Sequence, residues 1–389
     1  MTIPRILIVA GSDSGGGAGI QADIKTVTML GGHAMTAVTA LTAQNTLGVE
    51  HVHPVPPAFV VQQMACVARD IGVDAVKIGM LGGAAIAHVV ADELASGLYG
   101  DLIVFDPVMV ATSGAALADE ATIAAMRRLA ALATLVTPNL PEFRVLCGRP
   151  DLPDDAVEDE ARAYADEVGA HVLVKGGHAA GDTVVDRLIA PDGTVTRWSA
   201  PRIDTIHTHG TGCTLASAIA EGLGRGLSLV DAVARARLFV RLALLEAPGL
   251  GAGHGPMGHA LVRDVPGARA SLNQVTLPAT DHAASVAFYE ALGLTRIVDS
   301  GDRYARFETG GGTTLSVEAA DEVANAAIVY LEIADLDGAV AAARAAGIAV
   351  TDPVDQPWGW REASLIDPAG NALRLYTAGE YRRFPPWRV

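Results

Sequence analysis

Between residues 5 and 247 short, continuously apolar runs alternate with longer stretches in which apolar residues recur every three or four positions. The short runs predict strands at 5–10, 35–41, 75–78, 102–105, 135–137 and 171–174. The periodic stretches predict helices at 20–30, 59–70, 84–95, 120–132, 157–168, 213–223 and 229–246. Apolar strands separated by helices imply an α/β domain of three layers, a mainly parallel sheet covered on both faces. Residues 183–198 differ, because Pro191-Asp192-Gly193 between two β-rich runs reads as a hairpin.

From Pro248 to Ala270 the pattern gives way to Gly, Pro and His, which marks a boundary. Beyond it a weak repeat appears. A strand at 272–277 and a helix at 281–292 ended by Gly293 precede three short strands; a strand at 327–333 and a helix at 335–346 ended by Gly347 precede three more. Two βαβββ units are expected to form half-barrel sheets that bury each other, giving a smaller α+β domain of paired modules. The expected domains are 1–264 and 270–380.

Half of the 389 residues are apolar and 19% are charged, enough for sizeable cores. The net charge of -16 disfavours nucleic acid and anionic lipid, so neither is expected as a partner. Cys66, Cys147 and Cys213 form no CxxC pair, and no apolar run suits a signal peptide or a membrane span, so a cytoplasmic protein is expected. A homo-oligomer, a dimer, is expected too. Lys25, Lys77 and Lys175 are the only lysines, which makes each worth following.

Candidate chemistry gathers at strand ends, where open α/β sheets bind ligands. The glycine-rich turn from Gly11 to Gly19 follows a strand and precedes a helix, so backbone N–H groups can approach an anion there. It lacks the spacing of a Walker A loop or a dinucleotide fingerprint, and a plain flexible turn reads the same. The run His209-Gly210-Thr211-Gly212-Cys213 opens a helix and can nest a phosphoryl group. There the helix dipole would lower the Cys213 thiol and let it accept a proton; a small residue packing the first turn is the other reading. Asn139 and Glu142, three apart, could face one Mg²⁺ through water, while N-capping by Asn139 explains the same pair. Asp106 ends a strand, and Lys175, ending another before Gly176-Gly177, suits a nucleotide phosphate.

Taken together, Gly11-Ser12-Asp13-Ser14, Gly16 to Asp23, Thr42-Ala43-Gln44-Asn45-Thr46, Lys77 to Leu81, Asp106-Pro107-Val108-Met109, Thr137 to Glu142, Lys175 to His178 and His209 to Cys213 resemble the hydroxymethylpyrimidine/phosphomethylpyrimidine kinases of thiamine biosynthesis, a branch of the ribokinase-like fold. The resemblance covers roughly residues 3–260. It implies two phosphorylations by ATP with Mg²⁺: of the hydroxyl of 4-amino-5-hydroxymethyl-2-methylpyrimidine, then of the monophosphate. It implies that Gln44 bonds the aminopyrimidine, with Gly11, Ala18, Asp23, Met80 and Val108 around it. It places Lys175 with Gly210, Thr211, Gly212 and Asn139 at the ATP phosphates, Asp106 and Glu142 in the Mg²⁺ shell, and Cys213 and Lys175 as catalytic residues. Pyridoxal kinases share these loops and are the alternative.

Leu272 to Leu277, Phe288 to Leu294 and Asp367 to Leu375 resemble the vicinal-oxygen-chelate superfamily of glyoxalases and bleomycin-resistance proteins. Where its metal enzymes supply ligands this chain has Gln274, Glu318, Ile328 and Arg374, so a metal-free binding module is expected, with a drug-binding or glyoxalase-like tail as alternatives. Arg374 suits an anion, with Tyr330, Trp358, Trp360 and Tyr376 available for stacking or for structure.

Overall fold

The computed structural model describes residues 3–109, 119–262, 271–291, 294–308, 313–321, 328–345, 347–366, 372–382 and 384–388. They fall into two compact units, Met1–Leu261 and Val262–Val389. No helix among the described residues is long and apolar enough to cross a membrane.

In the first unit the elements follow in the order β1 (Arg5–Asp13), α1 (Gly19–Met29), β2 (His33–Gln44), β3 (Val49–Pro54), α2 (Pro57–Asp70), β4 (Ala75–Ile78), α3 (Ala84–Leu94), β5 (Ile103–Phe105), α4 (Glu120–Leu132), β6 (Leu135–Val136), α5 (Leu140–Leu146), α6 (Val157–Val168), β7 (His171–Val174), β8 (Thr183–Ile189), β9 (Val195–Pro201), α7 (Thr211–Gly224) and α8 (Leu229–Leu245). The nine strands form one sheet in the order β3-β2-β1-β4-β5-β6-β7-β8-β9. Strands β2, β1, β4, β5, β6 and β7 run parallel, and β3, β8 and β9 pair antiparallel at the margins. The central strands read as unbroken apolar runs because both faces are covered; Ile6, Leu7, Ile8 and Val9 are wholly buried. Helices α2 to α6 close one face around Met64, Phe105, Leu129 and Phe143, while α1, α7 and α8 pack on the other.

Two features depart from the pattern reading. Strand β1 continues through Gly11, Ser12 and Asp13, so the glycine-rich turn begins later than its first glycine. Strand β3 has no counterpart in the apolar pattern, because it lies at the sheet edge with nearly every residue exposed and needs no apolar face.

The second unit holds β10 (Ser271–Ala279), α9 (His282–Ala291), β11 (Thr295–Asp299), β12 (Tyr304–Glu308), β13 (Thr314–Ala319), β14 (Ile328–Glu332), α10 (Leu336–Ala345), β15 (Val354–Asp355), β16 (Arg361–Ile366) and β17 (Ala372–Thr377). The two βαβββ modules are present, but they do not make separate sheets. Strands β10 and β14 pair antiparallel and join them into one eight-stranded sheet, β11-β12-β13-β10-β14-β17-β16-β15. Each module packs its own helix in its own apolar cluster, around Val286 and Phe307 and around Val340 and Leu375. The helix end at Leu292-Gly293, Ala327 and the motif from Asp367 to Asn371 lie outside the described residues, as do residues 263–270 of the expected boundary segment.

Candidate active site

Three parallel strands of the first unit, β5, β6 and β7, end on one edge of the sheet, and their next residues, Asp106, Thr137 and Lys175, carry polar groups of the site. Asp106 follows β5 and is almost wholly buried. The Lys175 ammonium, following β7, donates to Asp106 Oδ1 at 2.7 Å and lies 3.8 Å from Glu142 Oε2. Thr137 Oγ1 donates to the same Asp106 oxygen at 3.1 Å. Burial alone would lower the Lys175 ammonium, yet the Asp106 and Glu142 carboxylates outweigh it and hold the group above its ordinary value. Its backbone is pinned as well, since Lys175 N–H donates to Pro138 O at 2.9 Å and Gly176 N–H to Asp186 Oδ1 at 2.8 Å. A Cβ on Gly176 would sit 2.1 Å from Val185 O, so only glycine lets the chain turn there.

Asn139 and Glu142 form a reciprocal cap at the start of α5. Asn139 Oδ1 accepts from Glu142 N–H at 2.9 Å, and Glu142 Oε2 accepts from Asn139 N–H at 2.8 Å. The Asn139 side chain is thus engaged with the helix, as the capping reading holds. Burial pushes the Glu142 carboxyl up to about 7, Lys175 opposing and Asp106 assisting.

Helix α7 begins at Thr211 after Gly210 in a left-handed conformation, φ +85°. Gly212 stands so near the charged cluster that a Cβ there would meet Asp106 Oδ2 and Lys175 Nζ, each at 3.3 Å. Cys213 reverses the expected electrostatics. Burial pushes its thiol up to about 11, with Asp23 and Asp106 adding to this and Lys77 opposing, so the dipole at the helix start does not win. The first turn is held from behind by Thr214, whose Oγ1 bonds His259 Nε2 at 2.7 Å; burial presses that imidazole down to about 4 and keeps it neutral.

Two further groups received no role from the sequence. Lys77, in a strand buried along its whole length, donates to both Asp23 oxygens at 3.0 and 2.8 Å, and both side chains are fully buried. Ser217 Oγ donates to Asp23 Oδ1 at 2.7 Å. Asp13, at the end of β1, accepts N–H bonds from Gly15, Gly17 and Ala18 at 2.8, 3.0 and 2.8 Å. His209 Nε2 lies 2.9 Å from Asp13 Oδ2 and 3.1 Å from the Gln44 amide. Burial pushes the Asp13 carboxyl up, but His209 and the backbone N–H groups together hold it below its ordinary value. The two loops interlock: a Cβ on Gly210 would lie 2.0 Å from Gly17 O, and one on Gly17 would lie 2.5 Å from His209 Cδ2.

These groups surround a cavity of about 650 Å³. Gly11, Ala18, Gln44, Met80 and Val108 line it together with Asp106, Asn139, Glu142, Lys175, Gly210, Thr211, Gly212 and Cys213. Asp23 does not, because its carboxylate is turned to Lys77 and Ser217 beneath the wall. A lone lysine inside an apolar strand was the available signal for that pair; nothing in the spacing of Asp13 and His209 announces theirs. Arg237, bonded to Asp186 at 2.6 Å, also lines the cavity and was not singled out.

In the second unit the four ligand-equivalent positions, Gln274, Glu318, Ile328 and Arg374, lie on β10, β13, β14 and β17. Gln274 is buried with its amide bonded to Ser316 at 3.0 Å and Thr314 at 3.2 Å, whereas Glu318 is exposed at the far end of β13. In register Gln274 faces Tyr330, which faces Arg374, and Ile328 faces Thr276. Trp360 and Tyr376 are buried and stack on each other at 4.7 Å, Tyr330 meets both edge to face, and Trp358 is 38% exposed. No group of three His, Cys, Asp or Glu placed to hold a metal ion occurs among the described residues.

Comparison with known proteins matches residues 274–376 to a glyoxalase-like domain and residues 13–258 to phosphomethylpyrimidine kinase. The hydroxymethylpyrimidine/phosphomethylpyrimidine kinase of Haemophilus influenzae is 41% identical over 261 residues, 66% of this chain and 97% of that protein. A thiamine biosynthesis multifunctional protein of Corynebacterium efficiens is 44% identical over 259 residues, 66% of this chain, and the match spans only 35% of that longer protein. The solved pyridoxal kinase of Staphylococcus aureus, in complex with AMP-PCP and pyridoxal, shares the fold with a TM-score of 0.62 at 31% identity, covering 68% of this chain and 96% of that one. A family match over most of the chain, with a relative covered along nearly its whole length, establishes that the chain belongs to the phosphomethylpyrimidine kinase family.

Proposed function

We propose that the chain uses ATP to phosphorylate 4-amino-5-hydroxymethyl-2-methylpyrimidine and then its monophosphate, supplying the diphosphate for thiamine biosynthesis. The kinase domain is residues 1–264, and residues 270–380 form a small-molecule-binding module without a metal. The observation that carries the reading is one cavity in which the Lys175, Asp106 and Glu142 cluster meets the N-terminus of α7 and also reaches Gln44.

In this reading Lys175 and the N–H groups of Gly210 to Cys213 hold the transferring phosphoryl, with Asn139 at the nucleotide phosphates. Gln44 reads the aminopyrimidine, an amide that can both donate and accept, while Gly11, Ala18, Met80 and Val108 shape the pocket. Asp23 acts one step removed, by fixing Lys77 in the wall. Cys213 is assigned to the attacking hydroxyl; a thiol protonated at rest orients it by hydrogen bonding, and positioning with charge stabilisation supplies most of the rate. Two carboxylates beside one ammonium suit an Mg²⁺ carried by the triphosphate and touched through water by Asp106 and Glu142. When bound, that ion neutralises phosphate charge.

The reading extends to a cytoplasmic homodimer. Pyridoxal kinase is the second reading, favoured by the Staphylococcus aureus neighbour. A panel of both substrates with ATP and Mg²⁺ on the full chain, separating mono- from diphosphate products, decides between them. Turnover of pyridoxal with none of the aminopyrimidine would overturn the first.

A further inference from the structure

Gln44 and His209 meet Nε2 to Nε2 at 3.1 Å, while the same His209 nitrogen lies 2.9 Å from Asp13 Oδ2. A ring nitrogen facing an ionised carboxylate carries the proton, because two lone pairs at that distance repel. Asp13 already accepts three backbone N–H bonds, which favour its ionised form. His209 Nε2 is therefore a donor and cannot accept from the Gln44 NH₂ group.

A second conflict lies at the other end of the amide. Thr42 has one hydroxyl proton, and its Oγ1 stands 2.8 Å from Ser12 O and 3.3 Å from Gln44 Oε1. Both of those oxygens are acceptors. The carbonyl of Ser12 takes the proton at the shorter distance, and Thr42 has nothing left to donate to Gln44. Turning the amide end for end removes both conflicts. Oε1 then shares the single His209 Nε2–H with Asp13 Oδ2 as the longer arm of a three-centre bond, where an NH₂ group would meet it hydrogen to hydrogen, and the NH₂ group donates to the Thr42 oxygen. Oxygen and nitrogen of an amide are assigned from such a network.

We infer that His209, locked by Asp13, is a positioning residue that sets which way round Gln44 presents its amide, and so selects rings bearing an amino group beside a ring nitrogen. One lone pair on Oε1 and one N–H are left for the ligand. An aminopyrimidine edge supplies the matching donor and acceptor side by side; the phenolic oxygen of a pyridoxal ring has no amino group next to its ring nitrogen. The inference rests on the pyrimidine-kinase reading for its substrate and on the hydrogen-bond network for its device.

Two measurements on the full chain test it. Nitrogen-15 NMR at neutral pH is expected to find His209 protonated at Nε2; a neutral ring with a bare Nε2 overturns the device. In kinetics, His209→Phe keeps a ring but removes the donor, and it should raise the aminopyrimidine KM about tenfold with little change in kcat or in the KM for ATP. His209→Gln restores an N–H at similar reach and should recover most of that loss, while the KM for pyridoxal stays level in both. If the two variants behave alike, His209 only packs and the inference fails. A parent chain that leaves the aminopyrimidine unphosphorylated overturns the functional reading and the selectivity with it, whereas the NMR result judges the device independently.

Discussion

Replacing Lys77 with Met would remove the cation from a fully buried pair while keeping most of its volume. Asp23 would retain Ser217 alone, at 2.7 Å, with the Asp106 charge nearby. Breaking a buried pair from one side costs about 3 to 5 kcal/mol. Proton uptake sets a ceiling, because neutralising a carboxyl of ordinary pKa at about pH 7 costs about 4 kcal/mol. The expected loss is therefore about 3 to 4 kcal/mol, or about 6 to 16 °C in the midpoint of a domain of this size. Burial already raises the Asp23 carboxyl, and losing Lys77 raises it further. A raised carboxyl stabilises the folded state fully below its unfolded value and loses that contribution as pH rises, so the deficit should shrink to about 1.5 kcal/mol by about pH 5. Scanning calorimetry of the full chain, following the transition that ATP raises, measures this. Adding Asp23→Leu should recover most of the loss at about pH 7. A deficit under about 1 kcal/mol that ignores pH would refute the reasoning.

Glu142 is raised from 4.5 to about 7, so its stabilising contribution is lost as pH rises between those values; in thermal melts Glu142→Gln should gain on the parent from about pH 4.5 to about pH 7 and level off above that. With its thiol at about 11, Cys213 should be alkylated by iodoacetamide much more slowly than exposed Cys66 at about pH 8, and equal rates read by peptide mass mapping would contradict the raised thiol. Cys213→Ala should lower kcat far more than it raises either KM, as measured in steady-state kinetics. Elemental analysis of the full chain purified without nucleotide should find no tightly held transition metal, and one metal per chain lost on Glu318→Ala would restore a glyoxalase-like tail.

The parallel sheet and its helices were legible because burial on both faces leaves uninterrupted apolar runs, as in Ile6 to Val9 and Ala75 to Ile78. The same logic hid β3, whose exposed residues carry no burial signal. Lys175 and the Gly210 to Cys213 run were legible as residue types at strand and helix ends, Gln44 only through the family resemblance, and the structure brings them to one cavity. The burial of Asp23 was not legible, because a carboxylate near the start of a helix reads alike whether it faces ligand or lysine. The Cys213 thiol was misjudged for a related reason. The helix dipole can be read from position alone, while the burial that overcomes it, and the Asp23 and Asp106 charges that add to it, come from other elements. In the tail, equal helix spacing revealed two modules but not that β10 and β14 would zip them into one sheet.

The backbone contact between Gly17 and Gly210 also bears on how such a protein can change. Neither position has room for a Cβ, and each obstacle is supplied by the other loop or by its neighbour His209. A substitution in one loop therefore demands a simultaneous shift in the other, so the two behave under mutation as a single inherited unit. Laboratory evolution that exchanges one loop at a time should pass through broken intermediates, whereas paired exchange keeps the fit. New substrate preferences are more accessible through Met80 and Val108, which line the same cavity from other strand ends and can vary one at a time.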